Sequence, residues 1–574
     1  MSNDAADRPR PKGDGEPIGP SLDWRLRVLD PATAVRRGGS PVPRPTAYVS
    51  DRFLVPGLPG AVGDELDDVQ QIAGRRGWSV TVEPGDLEDL ELLRRADLDQ
   101  EVLAGVEAAW GYGLLLAPSD GTVSEPPDAW ELLEEFEDRR AKSGAALGLD
   151  HVLVAGGPAV HGAPYTQPHP YTQPHPYTQP HPYTQPHPYT QPHPAGALAE
   201  YGAAGWGGRS PVTWVGPRPA RRHGPGRTVD RTAKGTRRPV VAVLDTGTGP
   251  HPWLDESVVV RNPTVLGQPI GLFPTASSPL RDCEHGGMGV FPLTGGLDPC
   301  AGHGTFIAGL IHQRCPDAVV LSCRLYGGAG IISEWEMLRS LRRLLLFHVL
   351  GMLGRPGCYP VDVLNLSLGY YHERPQDVAF DDPFARCLAA LRRHGVAVVV
   401  SAGNEADPRP LYPAAFSPWL DRAAVPPVPL HPGELTRAEP AILSVGALNP
   451  DGTTALISND GDWVTCRRPG AAVVSTLPTS MNGSSTSSRS LPGGGPGERR
   501  TTIDPDGFGG GFGVWSGTSF AAPVLAGEVA AALLERREGE VAPAAAGGWV
   551  DQVRARCEHT WKAITATTGL VPEA

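Results

Sequence analysis

Between residues 228 and 537, short uninterrupted apolar runs alternate with longer segments whose apolar residues recur every three or four positions. Apolar runs of this length are typical of parallel strands that are buried on both faces. The longer period is typical of helices that pack one face against a core. Their alternation predicts an α/β domain with a central, mostly parallel sheet flanked by helices. We predict strands at 240–244, 319–323, 361–366, 396–401 and 442–447, and helices at 305–312, 334–353, 384–394 and 520–536.

Residues 45–156 follow a different pattern, in which alternating and helical segments occur in the order β-α-β, β-α-β. This order predicts a small N-terminal α+β domain of the ferredoxin-like type. An unrelated accessory α/β domain is the alternative interpretation. We predict strands at 46–55, 78–82, 112–116 and 152–155, and helices at 65–76 and 129–141.

The remaining segments are predicted to be tails and a linker. Residues 1–44 are polar and rich in Pro, Gly and Arg, which predicts a disordered tail. Residues 157–227 form a Pro-rich linker that contains five tandem copies of Pro-Tyr-Thr-Gln-Pro-His at 164–193. Proline at this density excludes helix interiors and central strands and favours a stiff extended spacer, with metal binding by the repeated histidines or docking by the tyrosines as alternatives. Residues 538–574 form a C-terminal tail that holds one predicted helix near 549–565.

Composition and charge exclude several classes of function. The net charge of −13 argues against a general nucleic-acid binder, because phosphate contacts need clustered Lys and Arg. The N-terminus has no apolar core of a signal peptide and no apolar run is long enough to span a bilayer, so we expect a cytoplasmic protein without a membrane partner, with non-standard export as the alternative. The eight cysteines show no CxxC spacing, so no zinc or other metal site is predicted. Cys283 and Cys300 flank one Gly-rich loop and would pair only in an exported protein.

Four short motifs at the ends of the predicted elements carry candidate chemistry. They are Val-Ala-Val-Leu-Asp245-Thr-Gly, Gly-His303-Gly-Thr, Ser-Ala-Gly-Asn404 and Gly-Thr-Ser519-Phe-Ala-Ala-Pro. Alone, each has an ordinary structural explanation, such as a helix cap or a turn. Together, and in the chain order Asp, His, Ser, they match a known order of the catalytic triad.

The residue types suit acyl transfer. Ser519 is the expected nucleophile, because a hydroxyl at the start of a helix is exposed to backbone N–H donors but needs a base to activate it. His303 can take that proton and return it to the leaving amine. Asp245, at the end of a buried strand, would orient the imidazole and stabilise its charged form. Asn404 can donate to the oxyanion of the tetrahedral intermediate.

On these motifs, residues 236–536 resemble the subtilisin-like serine protease family, the subtilases. Further matches are Ser367, Leu368 and Gly369, which resemble the strand that lines the family's substrate cleft, and Leu411, which precedes a Tyr-Pro-Ala segment beside the primary specificity pocket. The resemblance implies a subtilisin-like catalytic domain with serine endopeptidase activity on polypeptide substrates. It implies no cofactor for the chemistry. Many relatives bind structural calcium, but the sequence indicates no ligand set for it.

The resemblance also leads to expectations about substrate binding. The edge formed by Ser367, Leu368 and Gly369 is expected to hold a substrate peptide as an added strand. Leu411 stands where glycine is common in the family, so we expect a shallow pocket that disfavours large aromatic side chains. Phe306 replaces a histidine found in many relatives at a position that is not catalytic. Two insertions, 418–440 and 479–513, lie near the expected pocket and before the nucleophile.

The family resemblance gives residues 45–156 a role as well. Relatives often carry an N-terminal prodomain of similar build, which assists folding and blocks the cleft, so an intramolecular inhibitory domain is expected here. The main rival hypothesis is a catalytically silent subtilase fold used as a binding module, with the repeat as its docking segment. A third hypothesis is a metal-binding scaffold built on the repeat.

Overall fold

The structure is a computed structural model, and it describes thirteen stretches of the chain. The repeat at 164–193, most of the linker at 157–227 and the first 24 residues lie outside them. The described residues are 25–36, 40–59, 63–121, 124–143, 147–156, 208–214, 216–221, 237–290, 292–374, 382–425, 427–431, 433–539 and 548–573.

The N-terminal body is an antiparallel sheet covered by helices. Its strands lie in the order β5-β2-β4-β3, and β1 pairs with β2, so the stretch predicted to be a disordered tail (1–44) contributes a strand. Two helices between β3 and β4 were not predicted from the apolar pattern. The elements are β1 (Leu26–Leu29), β2 (Thr46–Pro56), α1 (Gly63–Arg75), β3 (Trp78–Val82), α2 (Pro84–Arg95), α3 (Gln100–Glu107), β4 (Gly111–Pro118), α4 (Ala129–Ser143) and β5 (Gly148–Ala155).

The following part of the chain contains the larger domain. Its described elements are β6 (Ser210–Pro211), β7 (Val240–Asp245), β8 (Val259–Arg261), β9 (Thr264–Val265), β10 (Gln268–Pro269), α5 (His303–Arg314), β11 (Val319–Arg324), β12 (Ile331–Ser333), α6 (Glu334–Met352), β13 (Val363–Leu366), β14 (Leu368–Tyr371), α7 (Asp382–Arg393), β15 (Ala397–Ser401), β16 (Leu411–Tyr412), β17 (Leu420–Asp421), β18 (Val428–Pro429), β19 (Ile442–Leu448), β20 (Cys466–Pro469), β21 (Val473–Thr476), β22 (Ser490–Pro492), β23 (Arg499–Thr501), β24 (Phe512–Trp515), α8 (Thr518–Gly539) and α9 (Trp549–Thr568).

A seven-stranded parallel sheet forms the centre of this domain, in the order β20-β19-β15-β13-β7-β11-β8. Along β7, Val240, Ala242 and Leu244 pack into one core, and Val241 and Val243 pack into the core on the opposite face. This is why the strand is apolar throughout, since successive side chains of a strand point to opposite faces. The predicted α/β class is confirmed.

The helices divide between the two faces of the sheet. Leucines of α6 join the first core, whereas α5 and α8 pack against each other in the second. The helix predicted in the C-terminal tail (538–574) is present as α9, and its Trp561 and Ile564 are buried in that second core. Among the described residues, one helix, 518–537, has the length and apolarity of a membrane span, but 78% of its most apolar window is buried inside the protein. All eight cysteines are free.

Strand β5 connects the two bodies. It pairs antiparallel with β2 of the N-terminal sheet and also with β12 and β14 of the larger domain. The N-terminal sheet therefore continues through β5 into the larger domain and ends at β16. The C-terminal end of β5 reaches the edge of the parallel sheet where the four motifs lie.

Candidate active site

The four motif residues lie together because of where their elements begin and end. Asp245 is the last residue of β7, and Asn404 follows the neighbouring part of the sheet, three residues after β15. The carboxyl ends of parallel strands meet at one edge of a sheet, which is where ligands bind in open α/β folds. His303 is the first residue of α5 and Ser519 the second residue of α8, so both stand at helix N-termini.

Asp245 and His303 form a buried pair. The Nδ1 atom of His303 lies 2.9 Å from Oδ1 and 3.0 Å from Oδ2 of Asp245. The carboxylate also accepts hydrogen bonds from the backbone N–H of Thr246 at 2.8 Å and from the hydroxyl of Tyr326 at 2.6 Å. A buried carboxylate is costly unless it is paired in this way.

Tyr326 remains a donor to Asp245 over the whole physiological range. Burial, followed by the negative charge of Asp245, raises the pKa of the Tyr326 hydroxyl well above its ordinary value. Sequence reasoning missed this residue, because nothing in its neighbourhood distinguishes it from a core tyrosine. Its position follows from the pairing of β11 with β7, which sets Arg324 beside Asp245 and brings Tyr326 two residues further along.

The glycines of the His303 motif are required by close backbone packing. Gly302 has a φ of 76°, in the left-handed region that favours glycine. A Cβ atom on Gly304 would lie 2.1 Å from the carbonyl oxygen of Gly247. The start of α5 can therefore approach the turn after β7 closely enough for His303 to contact Asp245.

Ser519 is buried beside Ser367 and near His303. Its Oγ atom lies 3.5 Å from the Ser367 carbonyl oxygen, and the Ser367 hydroxyl donates to the Ser519 carbonyl oxygen at 3.0 Å. Among the described residues no hydrogen bond joins Ser519 to His303, although the ring of His303 lies 5.4 Å from that of Phe520, the next residue. Nucleophile–base contacts are often long before substrate binds and shorten in the reacting complex.

The amide of Asn404 is held in one orientation by the residue before Ser519. Its Oδ1 accepts hydrogen bonds from the Thr518 backbone N–H at 2.8 Å and from the Thr518 hydroxyl at 3.0 Å. Its Nδ2 donates to the carbonyl oxygen of Gly156. The only donor group of this side chain thus points to a peptide carbonyl that lies at the end of β5.

The end of β5 occupies the cleft in the manner of a bound peptide. Leu368 and Gly369 pair with Ala155 and Val154, so the predicted peptide-binding edge carries a strand of the same chain. A Cβ atom built on Gly156 would lie 3.3 Å from Nδ2 of Asn404 and 4.0 Å from Oγ of Ser519. Gly156 thus lies beside both Ser519 and Asn404, and its carbonyl group accepts the hydrogen bond of the Asn404 amide.

Leu411 fills the space between the two segments that flank this position. It is fully buried in β16, which pairs with β14. A Cβ atom on Gly369 would lie 2.8 Å from Leu411 Cδ2, and one on Gly403 would lie 2.7 Å from the same atom. The leucine side chain therefore occupies the space between Gly369 and Gly403.

Buried ion pairs join the N-terminal body to helix α6. Arg339 and Arg343 bond to Asp89 at 2.9 and 2.8 Å, and Arg342 pairs with Asp86 and donates to the Gly111 carbonyl oxygen. Burial alone would raise the pKa of Asp89, but the arginines, led by the hydrogen bond from Arg339, lower it. The arginines that interrupt the apolar pattern of α6 are therefore the residues that hold α2.

His151 forms a second buried contact between the bodies. Its Nδ1 lies 2.8 Å from Glu334 and its Nε2 lies 2.8 Å from Glu373. Burial would lower the pKa of His151, but the two carboxylates outweigh it and raise the pKa well above the ordinary value. An imidazolium between two carboxylates accounts for both contacts, since both ring nitrogens then donate.

Among the described residues, the candidate ligands for a metal ion lie in this same cluster around His151. Ligand atoms of His151, His372 and Glu373 lie within 4.8 Å of one another. However, both nitrogens of His151 already bond to carboxylates, and Nδ1 of His372 accepts the backbone N–H of Arg374 at 2.7 Å. Because both nitrogens of His151 donate to carboxylates and Nδ1 of His372 accepts a backbone N–H, an ion-pair cluster fits the arrangement better than a metal centre.

Comparison with known proteins adds family evidence to this geometry. The model of a family described as the subtilase family, Peptidase S8, matches residues 236–571, which is more than half of the chain. No curated protein matches the chain.

Solved structures give further similarities. A cold-adapted subtilisin-like serine proteinase is 18% identical with a TM-score of 0.30, over 55% of this chain and 79% of that chain. A lanthipeptide protease is 21% identical with a TM-score of 0.33, over the same shares of 55% and 79%. Fervidolysin from Fervidobacterium pennivorans, a keratinolytic enzyme related to subtilisin, is 16% identical with a TM-score of 0.39, over 88% of this chain and 56% of that chain.

Proposed function

Because this chain belongs to the subtilase family and is a serine-type endopeptidase, we propose that Asp245, His303 and Ser519 are its catalytic triad and that Asn404 is its oxyanion donor. The observation that carries the proposal is the oriented amide of Asn404, which donates to the carbonyl of Gly156, a residue that itself lies beside Ser519. The buried Asp245–His303 pair supports it independently.

In the proposed mechanism each side chain has one role. His303 accepts the proton of Ser519 as the serine oxygen attacks the substrate carbonyl, and then gives that proton to the leaving amine. Asp245, bonded to Nδ1 of His303, keeps the other ring nitrogen directed to the serine and stabilises the imidazolium. Asn404 stabilises the developing oxyanion. These groups supply nucleophile, base and oxyanion donor, so the proposed chemistry uses no cofactor.

A labelling experiment tests the assignment of the nucleophile. The purified full-length chain is incubated with a fluorophosphonate probe and casein hydrolysis is followed in parallel. We expect one modified residue, Ser519, by peptide mass spectrometry, with casein hydrolysis lost in proportion to labelling. Modification at another serine, or labelling that leaves hydrolysis intact, would contradict the assignment.

We further propose that the N-terminal body is an intramolecular inhibitor of the same cleft. Strand β5 covers the edge at Leu368 and Gly369 where a substrate would bind, and Gly156 presents its carbonyl to Asn404. The buried pairs of α2 with α6 and of His151 with Glu334 hold the body there. Polypeptide substrates must therefore compete with β5 for this edge, or bind after β5 has left it.

This arrangement predicts self-cleavage after Gly156. We expect the purified chain to yield a fragment that ends at Gly156 and one that begins at Gly157, as measured by intact mass. Gly156 has a φ of 81°, and a side chain on it would contact the amide of Asn404. Gly156→Val should therefore slow the cut about tenfold or more, because valine is strained at positive φ and would press on that amide. The same fragments from a Ser519→Ala chain, or a cut elsewhere, would refute the prediction.

For side-chain preference, we propose that Leu411 restricts the residue before the cut to small side chains. The proposal agrees with the glycine that occupies this position in the docked strand. Leu411→Ala should raise kcat/KM for a peptide with leucine before the cut, relative to one with alanine, by about 10-fold or more, since a few methylene groups in an apolar pocket contribute about 1–3 kcal/mol each. A matched peptide series measures this ratio.

The control for pocket specificity is Leu420→Ala, a buried leucine of β17 on the opposite face of the sheet. It should lower stability without changing the ratio of the two peptides. Wild-type cleavage after phenylalanine as fast as after alanine would show that Leu411 does not close the pocket.

A further inference from the structure

A buried carboxylate lies behind the triad and takes no part in the proposed mechanism. Glu284 belongs to the loop before α5, one of the segments whose sequence suggested no chemistry, and it is fully buried. Among the described residues, its side chain bonds to the two turns that carry Asp245 and His303.

Glu284 bonds to both of these turns through hydroxyl groups. Its Oε1 is in short hydrogen-bond contact with the hydroxyl of Thr246, the residue after Asp245. Its Oε2 is in short contact with the hydroxyl of Thr305, two residues after His303. The backbone N–H of Gly304 also donates to Oε1 at 3.2 Å. One carboxyl group therefore joins the end of β7 to the start of α5.

The protonation state of Glu284 decides which carboxyl group accepts the hydrogen bond of the Thr246 hydroxyl. The Thr246 hydroxyl lies 3.1 Å from Oδ1 of Asp245 and accepts the Gly304 N–H at 2.8 Å. A hydroxyl has one proton to donate. If Glu284 is protonated at Oε1, it donates to Thr246, and Thr246 donates to Asp245. If Glu284 is ionised, Thr246 donates to Glu284 and Asp245 loses that hydrogen bond.

The surroundings of Glu284 favour the protonated form below neutral pH. Burial raises the pKa of Glu284 to about 7, and the charge of Asp245 adds to this, while the bonds from Thr246 and Thr305 and the nearby Arg324 act in the opposite direction. The other titratable or charged groups that interact with it are Arg209, Arg261, Cys283 and Cys300.

We propose that protonated Glu284 is a positioning residue, which aligns the Asp245–His303 pair by holding both turns and by directing the Thr246 hydroxyl to Asp245. This inference rests on the proposed triad. Ionisation of Glu284 removes a hydrogen bond from Asp245 and adds a second negative charge beside it. We therefore expect kcat to decline as pH rises through the ionisation of Glu284.

Two variants of Glu284 separate positioning from packing. Glu284→Gln keeps a donor and an acceptor in place of the protonated acid, so it should retain kcat within about threefold at pH 6.5 and lose the decline above pH 7. Glu284→Ala removes both bonds and should lower kcat about tenfold or more with little change in KM, because misplacement of catalytic groups acts on turnover. Peptide hydrolysis by the full-length chain, followed from pH 5.5 to 9 with active sites counted by the probe at each pH, measures kcat and KM of both variants.

Asp317→Asn is the matched control. Asp317 is also a buried carboxylate, and it pairs with Arg238. It precedes β11 at the end of the sheet opposite to Asp245, which is five or more strand residues away, or about 17 Å. This variant should lose stability and keep both kcat and the decline above pH 7.

The outcomes separate the inference from the function on which it rests. A wild-type chain that shows neither hydrolysis nor probe labelling after the N-terminal body has been released would overturn the proposed function and this role together. An active wild type whose pH profile is shared by Glu284→Gln would overturn the role of Glu284 alone. If Glu284→Ala does not fold, as judged by circular dichroism, the pH profile of Glu284→Gln decides the matter by itself.

Discussion

Replacing Ser519 by alanine should lower turnover of peptide substrates on the order of 10⁶-fold, the loss typical of a triad without its nucleophile. The side chain loses only an oxygen, and the main hydrogen bond at this position, from the Ser367 hydroxyl to the Ser519 carbonyl, does not involve it. We therefore expect an unchanged fold, no fluorophosphonate labelling and no cut after Gly156. Casein hydrolysis, labelling and intact mass are measured on the same preparation.

Ser516→Ala is the matched control for the loss of a hydroxyl. Ser516 lies three residues before the proposed nucleophile, and its hydroxyl accepts the backbone N–H of Ala472 at 2.9 Å. This variant should keep labelling and hydrolysis. Residual labelling of the Ser519→Ala chain would remove Ser519 from the triad. A wild-type chain that is neither labelled nor active after release of its N-terminal body would favour the rival hypothesis of a silent subtilase fold that binds partners.

Replacing Asn404 by aspartate should lower kcat by about 10² to 10³, or about 2.7–4 kcal/mol of transition-state stabilisation, with KM changed only a few-fold. Aspartate keeps the oxygen that accepts from Thr518 and loses the N–H₂ group that faces the Gly156 carbonyl. The loss therefore acts on the oxyanion and not on the placement of the chain. Steady-state kinetics on one peptide, with active sites counted by the probe, measures it.

Asn404→Ala shows whether the added charge causes the effect. It introduces no charge and should lose turnover to a similar extent as Asn404→Asp, because both variants lack the donor. Both should still be labelled at Ser519, although more slowly. A kcat within about threefold of wild type in both variants would mean that Asn404 only supports the turn after β15.

Buried charges at the junction of the two bodies were not predictable from the pattern of the chain. Arginines in α6 are equally common in a solvated helix face, and only the docked α2 gives them partners in Asp86 and Asp89. The same holds for His151, whose two glutamate partners come from distant segments. Pairing across 180 or more residues depends on how two packed surfaces meet, and local sequence carries little information about that.

The sequence by itself determined the α/β class, and its four motifs predicted that Asp245, His303, Asn404 and Ser519 belong to one site. It could do so because apolar runs define buried parallel strands and because the ends of those strands lie at one edge of the sheet. The glycine after His303 also has a local reason, because the backbone at Gly304 approaches the backbone of Gly247 closely.

Only the tertiary structure decided which groups complete the site. Tyr326 reaches Asp245 through the register of β11 on β7, and Glu284 bonds from the loop before α5 to the turns that carry Asp245 and His303. Gly156 meets Asn404 because β5 is shared by two sheets. Each of these contacts joins residues far apart in the chain, and hydrogen bonds of this kind are selected by the packing of whole elements, which no single segment of sequence encodes.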